Sequence, residues 1–247
     1  MHLIIDEGNS LVKLAVFNKK QLLDFKQVSF ELCETTLINW CKEYTFTAVI
    51  VSSVTDHVLD IFNTLPIKRK VVLSYKTAVP FKNLYKTPNT LGVDRIALMA
   101  AACVKYPKKK CLVIDVGTCI TYDFINNKEE YIGGAISPGI EMRFKSMHAF
   151  TQKLPQLTLK EGVVVLEGTS TETCMYSGVL NGIVFEIAGM INSYEQKYGI
   201  VNIILTGGSA KFLYKQLKNS IFVNPNFLLE GLNEVLTYQS TDEAKQK

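Results

Sequence analysis

The chain has 247 residues, with 27 basic and 23 acidic side chains and a net charge of +4. That length fits one large domain or two of about 110–130 residues, and a hydrophobic share of 47% supplies core material for either. The charge is too evenly balanced for a nucleic-acid binder, which needs a concentrated basic face; the dense run Lys105-Tyr106-Pro107-Lys108-Lys109-Lys110 reads as a solvated loop.

In chain order, strands are expected at about 2–6, 11–17 and 21–29, forming a meander, and then a helix over 31–45. An apolar strand follows at 47–53, a short helix at 56–64 and a strand at 69–73. Residues 74–91, with Pro80, Pro88, Asn83 and Asn89, read as loop. An alanine-rich helix runs from Gly92 or Val93 to about Lys105. The pattern then restarts, with strands at 111–115, 119–126 and 129–136. Loop and a short strand are expected over 151–166, a long helix over 170–197, a strand at 200–206, and helices at 209–218 and 227–238. The polar end from Gln239 to Lys247 is expected to lack order. The restart implies duplicated α/β halves, 1–110 and 111–247. A single Rossmann sheet would want G-x-G-x-x-G opening a helix, and the sequence has none.

Six cysteines, at 33, 41, 103, 111, 119 and 174, form no Cys-x-x-Cys pair, so neither a disulfide framework nor a zinc site is expected. His2, His57 and His148 show no ligand or triad spacing. Asp6 interrupts any hydrophobic leader, and no stretch approaches the length of a membrane span, so a cytoplasmic protein without a membrane partner is expected.

One pattern occurs twice. Leu3-Ile4-Ile5-Asp6-Glu7-Gly8-Asn9-Ser10 and Leu112-Val113-Ile114-Asp115-Val116-Gly117-Thr118 are each an apolar run ending in Asp-x-Gly with a small polar residue, followed by a β-rich run. Each is a buried strand, a tight turn and a return strand. A glycine in the turn lets an anionic ligand approach the main chain. Two such hairpins suggest two similar halves facing each other across a nucleotide cleft. In the first, the turn amides with Asn9 or Ser10 can hold phosphate oxygens, Lys13 can reach a phosphate, and Asp6 can orient Mg²⁺ or its waters. Thr206-Gly207-Gly208-Ser209 ends a buried strand where flat adenine can lie against backbone, or is a plain strand-to-helix turn. Gly92-Val93-Asp94-Arg95, after Tyr85 and Pro88, is either a helix cap with a surface ion pair or a site. As a site, Arg95 would hold a carboxylate and Asp94 would accept a hydroxyl proton. Gly168-Thr169-Ser170-Thr171 starts a helix and offers N-caps.

Taken together, these motifs resemble the type III pantothenate kinases of the actin-like, sugar-kinase-like ATPase superfamily. The resemblance spans essentially the whole chain: Asp6-x-Gly8-Asn9-Ser10-x-x-Lys13, Tyr85-x-x-Pro88, Gly92-x-Asp94-Arg95, Asp115-x-Gly117-Thr118, Gly133-Gly134-x-Ile136-x-Pro138-Gly139, Leu154-Pro155, Thr171 ahead of Met175-x-Ser177-Gly178, and Thr206-Gly207-Gly208. It implies two RNase H-like domains with mixed sheets and flanking helices. The implied reaction moves the γ-phosphate of ATP to the primary hydroxyl of pantothenate, the first step toward coenzyme A. By the same resemblance Asp6, Glu7, Gly8, Asn9, Ser10, Leu11, Val12, Lys13 and Thr118 bind ATP. Tyr85, Gly92, Val93, Asp94, Arg95 and Thr171 bind pantothenate, Thr171 from across a homodimer interface, with Asp94 as proton acceptor. Asp115 holds a monovalent cation, K⁺ or NH₄⁺, and Asp6 serves Mg²⁺ through water. Three positions depart from the usual pattern: Glu7 in place of an apolar residue, Ser10 in place of Thr, and Cys119 in place of Ala. A charge at Glu7 is expected to alter metal or ATP affinity. The competing reading is a non-catalytic transcriptional accessory protein of the same family.

Overall fold

The structure is a computed structural model that describes all residues except 54, 56, 161–164, 218–219 and 246–247, and only the backbone of 241–245. In chain order the elements are β1 (His2–Glu7), β2 (Val12–Asn18), β3 (Gln21–Val28), α1 (Phe30–Glu43), β4 (Ala48–Ser53), α2 (Leu59–Thr64), β5 (Arg69–Val72), β6 (Lys82–Asn83) and α3 (Val93–Lys105). There follow β7 (Cys111–Val116), β8 (Cys119–Ile125), β9 (Glu130–Pro138), α4 (Ile140–Ala149), α5 (Thr171–Tyr198), β10 (Asn202–Thr206), α6 (Ala210–Tyr214), β11 (Phe222–Val223) and α7 (Phe227–Lys245).

The chain forms two compact units, neither of which is one continuous segment. The first comprises Met1–Lys108, Asn127–Ile132 and Asn226–Lys247, so the last helix returns to the N-terminal half. Its sheet runs β3-β2-β1-β4-β5, with β1, β2 and β3 antiparallel and β4 and β5 parallel to β1. Side chains alternate across a strand. Leu3, Ile5, Val12, Leu14, Val16, Val49 and Val51 therefore face one side, where Cys33, Leu37 and Trp40 of α1 and Phe62 of α2 complete a core. Helices α3 and α7 pack on each other and against β1 and β4. There His2 Nδ1 stands 2.8 Å from Asn233 Oδ1, and Asn233 Nδ2 donates to the Lys19 carbonyl at 2.8 Å. Lys105 pairs with Glu230 at 2.7 Å between α3 and α7.

The second unit comprises Lys109–Asn126 and Gly133–Pro225. Its sheet repeats the same order, β9-β8-β7-β10-β11, with β7 and β8 antiparallel and β10 and β11 parallel to β7. The duplication expected from the two Asp-x-Gly runs is thus present strand by strand. Its core joins Leu112, Ile114, Val116, Ile120, Tyr122 and Phe124 of the sheet to Phe144 of α4, Leu213 of α6 and Ile183, Ile187 and Ile191 of α5. Glu186 of α5 accepts from Tyr122 Oη at 2.8 Å and Ser137 Oγ at 2.5 Å and pairs with Arg143. Burial works to raise its pKa, but the hydrogen bonds from Ser137, Arg143 and Tyr122 outweigh it and hold the carboxyl below its usual value.

Several expectations from the sequence change. Helix α2 starts at Leu59, not 56, and α6 is a short turn of helix ending at Tyr214; residues 56 and 218 lie outside the described residues. Residues 82–83 form β6, paired in parallel with Glu130 and Tyr131, and Pro88–Thr90 is a 3₁₀ turn within the expected loop. At the end of the chain α7 continues through Lys245, where the sequence suggested a lack of order; residues 246–247 lie outside the described residues. The short strand expected within 151–166 is absent from the described residues, and 161–164 lie outside them. One helix, Thr171–Tyr198, is long and apolar enough to cross a membrane, with mean hydropathy 1.5, against the expectation that no stretch is. That helix has seven buried residues and carries Glu172, Glu186, Glu195 and Lys197, as a core helix of a folded unit also does.

Candidate active site

Strand β1 ends in Asp6 and Glu7, and the sheet sends them to opposite faces. Register places Lys13 of β2 and Ser52 of β4 beside Asp6, and Val12 and Ser53 beside Glu7. Asp6 is buried, and Lys13 Nζ lies 3.5 Å from its Oδ2. Burial raises the pKa of Asp6 above its ordinary value; the Lys13 charge opposes that, the Asp94 charge adds to it, and the Ser52 hydroxyl opposes it. The Asp94 charge thus reaches Asp6 within one unit, although the two lie 88 positions apart in the chain.

Gly8 closes the turn, donating its N–H to the Leu11 carbonyl at 3.1 Å. Asn9, Ser10 and Leu11 are exposed at its tip, whereas the Val12 side chain is in the core. Glu7 also points away from the turn. It is fully buried, and Ser53 Oγ and Thr55 Oγ1 donate to it at 2.5 Å each, with the His57 N–H at 3.0 Å. Its charge, after burial itself, helps push the Cys33 thiol on α1 up to about 11.

Asp94 sits in the first turn of α3, half-buried, and accepts from the Arg95 N–H at 2.9 Å. A Cβ at position 92 would displace the Asp94 carboxylate from where it sits. Arg95 is buried, its guanidinium carbon 5.6 Å from the Tyr85 ring centroid. Tyr85 in turn stacks on Tyr131, with centroids 6.0 Å apart and planes 12° from parallel, and the Phe81 ring meets Tyr131 edge-on at 6.2 Å. Sequence reasoning missed Ser52 and Tyr131. The register of parallel β4 against β1 finds the first; only the pairing of β6 with β9 finds the second.

In the second unit Asp115 ends β7, beside Thr121 of β8 and Thr206 of β10. Gly207 has φ +94°, and a Cβ there would overlap the Asp115 carboxylate and the Val116 backbone. Thr118 is exposed in the hairpin turn, and its carbonyl accepts from the Gly139 N–H at 3.0 Å. Thr171 is exposed as the first residue of α5, behind an N-cap in which Ser170 and Thr173 exchange hydrogen bonds.

The profile of the type III pantothenate kinases matches residues 2–193. The chain belongs to the type III pantothenate kinase family. It is similar to the type III pantothenate kinase of Christiangramia forsetii, 48% identical over 98% of this chain and 100% of that protein. The corresponding kinase of Flavobacterium johnsoniae is 41% identical over 97% and 98%. Among solved structures, a Baf family transcriptional activator from Campylobacter jejuni has a TM-score of 0.63 at 21% identity, over 97% of this chain and 99% of that one. An activator of 2-hydroxyisocaproyl-CoA dehydratase from Clostridium difficile, with bound ADPNP, has a TM-score of 0.56 at 12% identity, over 99% and 97%. These likenesses show the fold, that of the actin-like ATPases with mixed sheets and flanking helices. A pantothenate kinase is an ATP-using transferase, and the accessory-protein reading is not favoured by the sequence relatives.

Proposed function

We propose that the chain transfers the γ-phosphate of ATP to the primary hydroxyl of pantothenate through the residues of its two Asp-x-Gly hairpins and of the Gly92–Arg95 segment. The observation that carries the assignment is Asp94, held by its own helix turn and electrostatically coupled to Asp6 at the end of β1.

Asp94 is the residue that receives the acceptor hydroxyl proton. Any carboxylate is a weak base toward an alcohol, whose proton is far less acidic than that of a carboxylic acid. Phosphoryl transfer through a loose transition state needs little early proton removal, so positioning and charge stabilisation dominate. Asp94 orients the hydroxyl and takes its proton late. Arg95, fixed over Tyr85, offers the planar fork that suits the pantothenate carboxylate or an equatorial phosphate oxygen. Tyr85, Gly92, Val93 and Thr171 complete the proposed acceptor contacts.

The main-chain amides of the Gly8–Leu11 turn, with Asn9, Ser10 and Lys13, would hold the ATP phosphates, and Thr118 would contact the nucleotide. Lys13 offsets both Asp6 and phosphate charge. Asp6, at the end of β1 beside the proposed phosphate turn, would serve hydrated Mg²⁺ through water. Bound there, Mg²⁺ would neutralise phosphate charge. Asp115, a single carboxylate among threonine hydroxyls and backbone, suits a monovalent cation, K⁺ or NH₄⁺.

A cytoplasmic location, in keeping with the free cysteines, and a homodimer, for which the open space beside Gly178 and Gly189 of α5 leaves room, are part of this proposal. No nucleic-acid or membrane partner is proposed.

The deciding experiment is ADP release with ATP, Mg²⁺ and K⁺, with and without pantothenate, for the wild type and Asp94→Asn. Pantothenate-dependent turnover that falls about 10²–10⁴-fold in the folded variant is expected. Pantothenate-independent turnover, or an Asp94→Asn variant with near-wild-type kcat, would refute the assignment.

A further inference from the structure

Glu7 is a carboxylate with no solvent exposure, on the sheet face opposite Asp6. A charge in such a place is strongly unfavourable unless hydrogen bonds satisfy it. Here Ser53 Oγ, Thr55 Oγ1 and the His57 N–H all donate to it, and His57 Nδ1 stands 3.7 Å away. The three donors come from one stretch, the chain leaving the C-terminal end of β4. Strands β1 and β4 are parallel and in register at Glu7 and Ser53, so both end at the same sheet edge. In α/β sheets that edge is where ligands bind. The Gly8–Leu11 turn begins at the next residue. A single carboxylate thus joins the two loops that leave this edge.

The second unit solves the same problem differently. Val116 holds the position equivalent to Glu7, is apolar and belongs to the core. Its link to the loop after the neighbouring parallel strand is made by backbone: the Ser209 N–H donates to the Val116 carbonyl at 3.2 Å. In the first unit a side chain has taken over that link.

We infer that Glu7 is a positioning residue for the phosphate-binding turn. Its carboxylate holds Ser53, Thr55 and His57 beside the Gly8–Leu11 turn and thereby sets the direction in which the turn amides point. This rests on the nucleotide role proposed for that turn.

The test uses the full chain with Glu7→Val, which installs the second unit's residue, with Glu7→Gln, which keeps one acceptor oxygen, and with Thr55→Val, which removes one donor. ADP affinity is measured by titration calorimetry, with kcat and both KM values by turnover and the folded fraction by thermal unfolding. Glu7→Val is expected to weaken ADP binding and raise the KM for ATP about tenfold, with the KM for pantothenate within about twofold. Glu7→Gln and Thr55→Val fall between it and the wild type. Unchanged ADP affinity in folded variants overturns the inference. So does a loss of ADP sites, kcat and turnover in common proportion to the folded fraction, which marks Glu7 as structural only. Should Glu7→Val not fold, the other two variants decide by the same criteria. The ADP titration needs no acceptor, so it remains decisive even if pantothenate proves not to be phosphorylated.

Discussion

The two hairpins share a backbone and differ in company. Asp6 and Asp115 both end the central strand of a 3-2-1-4-5-type sheet, and each lies beside one residue of the return strand and one of the next parallel strand. For Asp6 these are Lys13 and Ser52; for Asp115 they are Thr121 and Thr206. The first hairpin therefore brings its own cation, and with it can hold an anionic ligand next to a carboxylate. The second brings hydroxyls, which is why the proposal puts a monovalent cation there. The register is the same in both units while the neighbouring side chains differ. The division follows from position: a residue at a strand end is backed by the sheet but free of its packing on one side, so its neighbours can change chemistry without disturbing the fold.

This contrast can be broken experimentally. The largest effect is expected at the first hairpin's partner, where Asp94→Asn should remove most of kcat with unfolding unchanged. Next, Asp115→Asn should abolish any advantage of K⁺ over Na⁺ in turnover, bringing the ratio of rates close to unity, while ADP-independent folding is retained. A wild type equally active in both salts would show that the second hairpin does not serve a cation. Third, Gly207→Ala should destabilise the protein by about 2–3 kcal/mol, since a Cβ at φ +94° is strained and meets the Asp115 carboxylate and the backbone behind it. Denaturant unfolding with unchanged midpoint would mean that the second hairpin can relax.

The smallest effect concerns stability. The folded-state pKa of Asp6 is raised above 3.8, so the folded chain binds that proton more tightly than the unfolded chain does. The group's favourable contribution is present below the unfolded value and is lost as pH rises through the folded one. At neutral pH the ionised Asp6 thus weakens the fold. Asp6→Asn, uncharged throughout, should raise Tm by a few degrees near pH 7, roughly 2–4 °C for each kcal/mol, and the gain should shrink on acidification while activity is lost. A Tm below that of the wild type at neutral pH would mean that the Lys13 pair outweighs burial.

Much of the fold was legible because its signals are local. Short apolar and β-rich runs bounded by turn residues marked β1, β2, β7 and β8, and Ala97, Ala100, Ala101 and Ala102 marked α3. The short elements β6 and β11 were not, since two residues held by a neighbouring strand carry no periodicity. The continuation of α7 to Lys245 was likewise hidden, because the residues Gln239–Lys245 carry no apolar helical periodicity. At the candidate site the motif letters were legible, but the faces of Glu7 and Val12 were not: a strand presents alternate residues to opposite sides, and both side chains lie in the core.

The sequence by itself determined the duplication, the two Asp-x-Gly turns, the family and the identity of the candidate reacting groups, since each is written within a dozen consecutive residues. Only the tertiary structure decided that Asp6 faces Asp94 electrostatically, that Tyr85 is carried on Tyr131, that the last helix belongs to the first unit, and that Glu7 turns inward to Ser53, Thr55 and His57. These depend on which strand lies beside which. That choice is made by burying apolar faces over long sequence separations, and no local pattern records it.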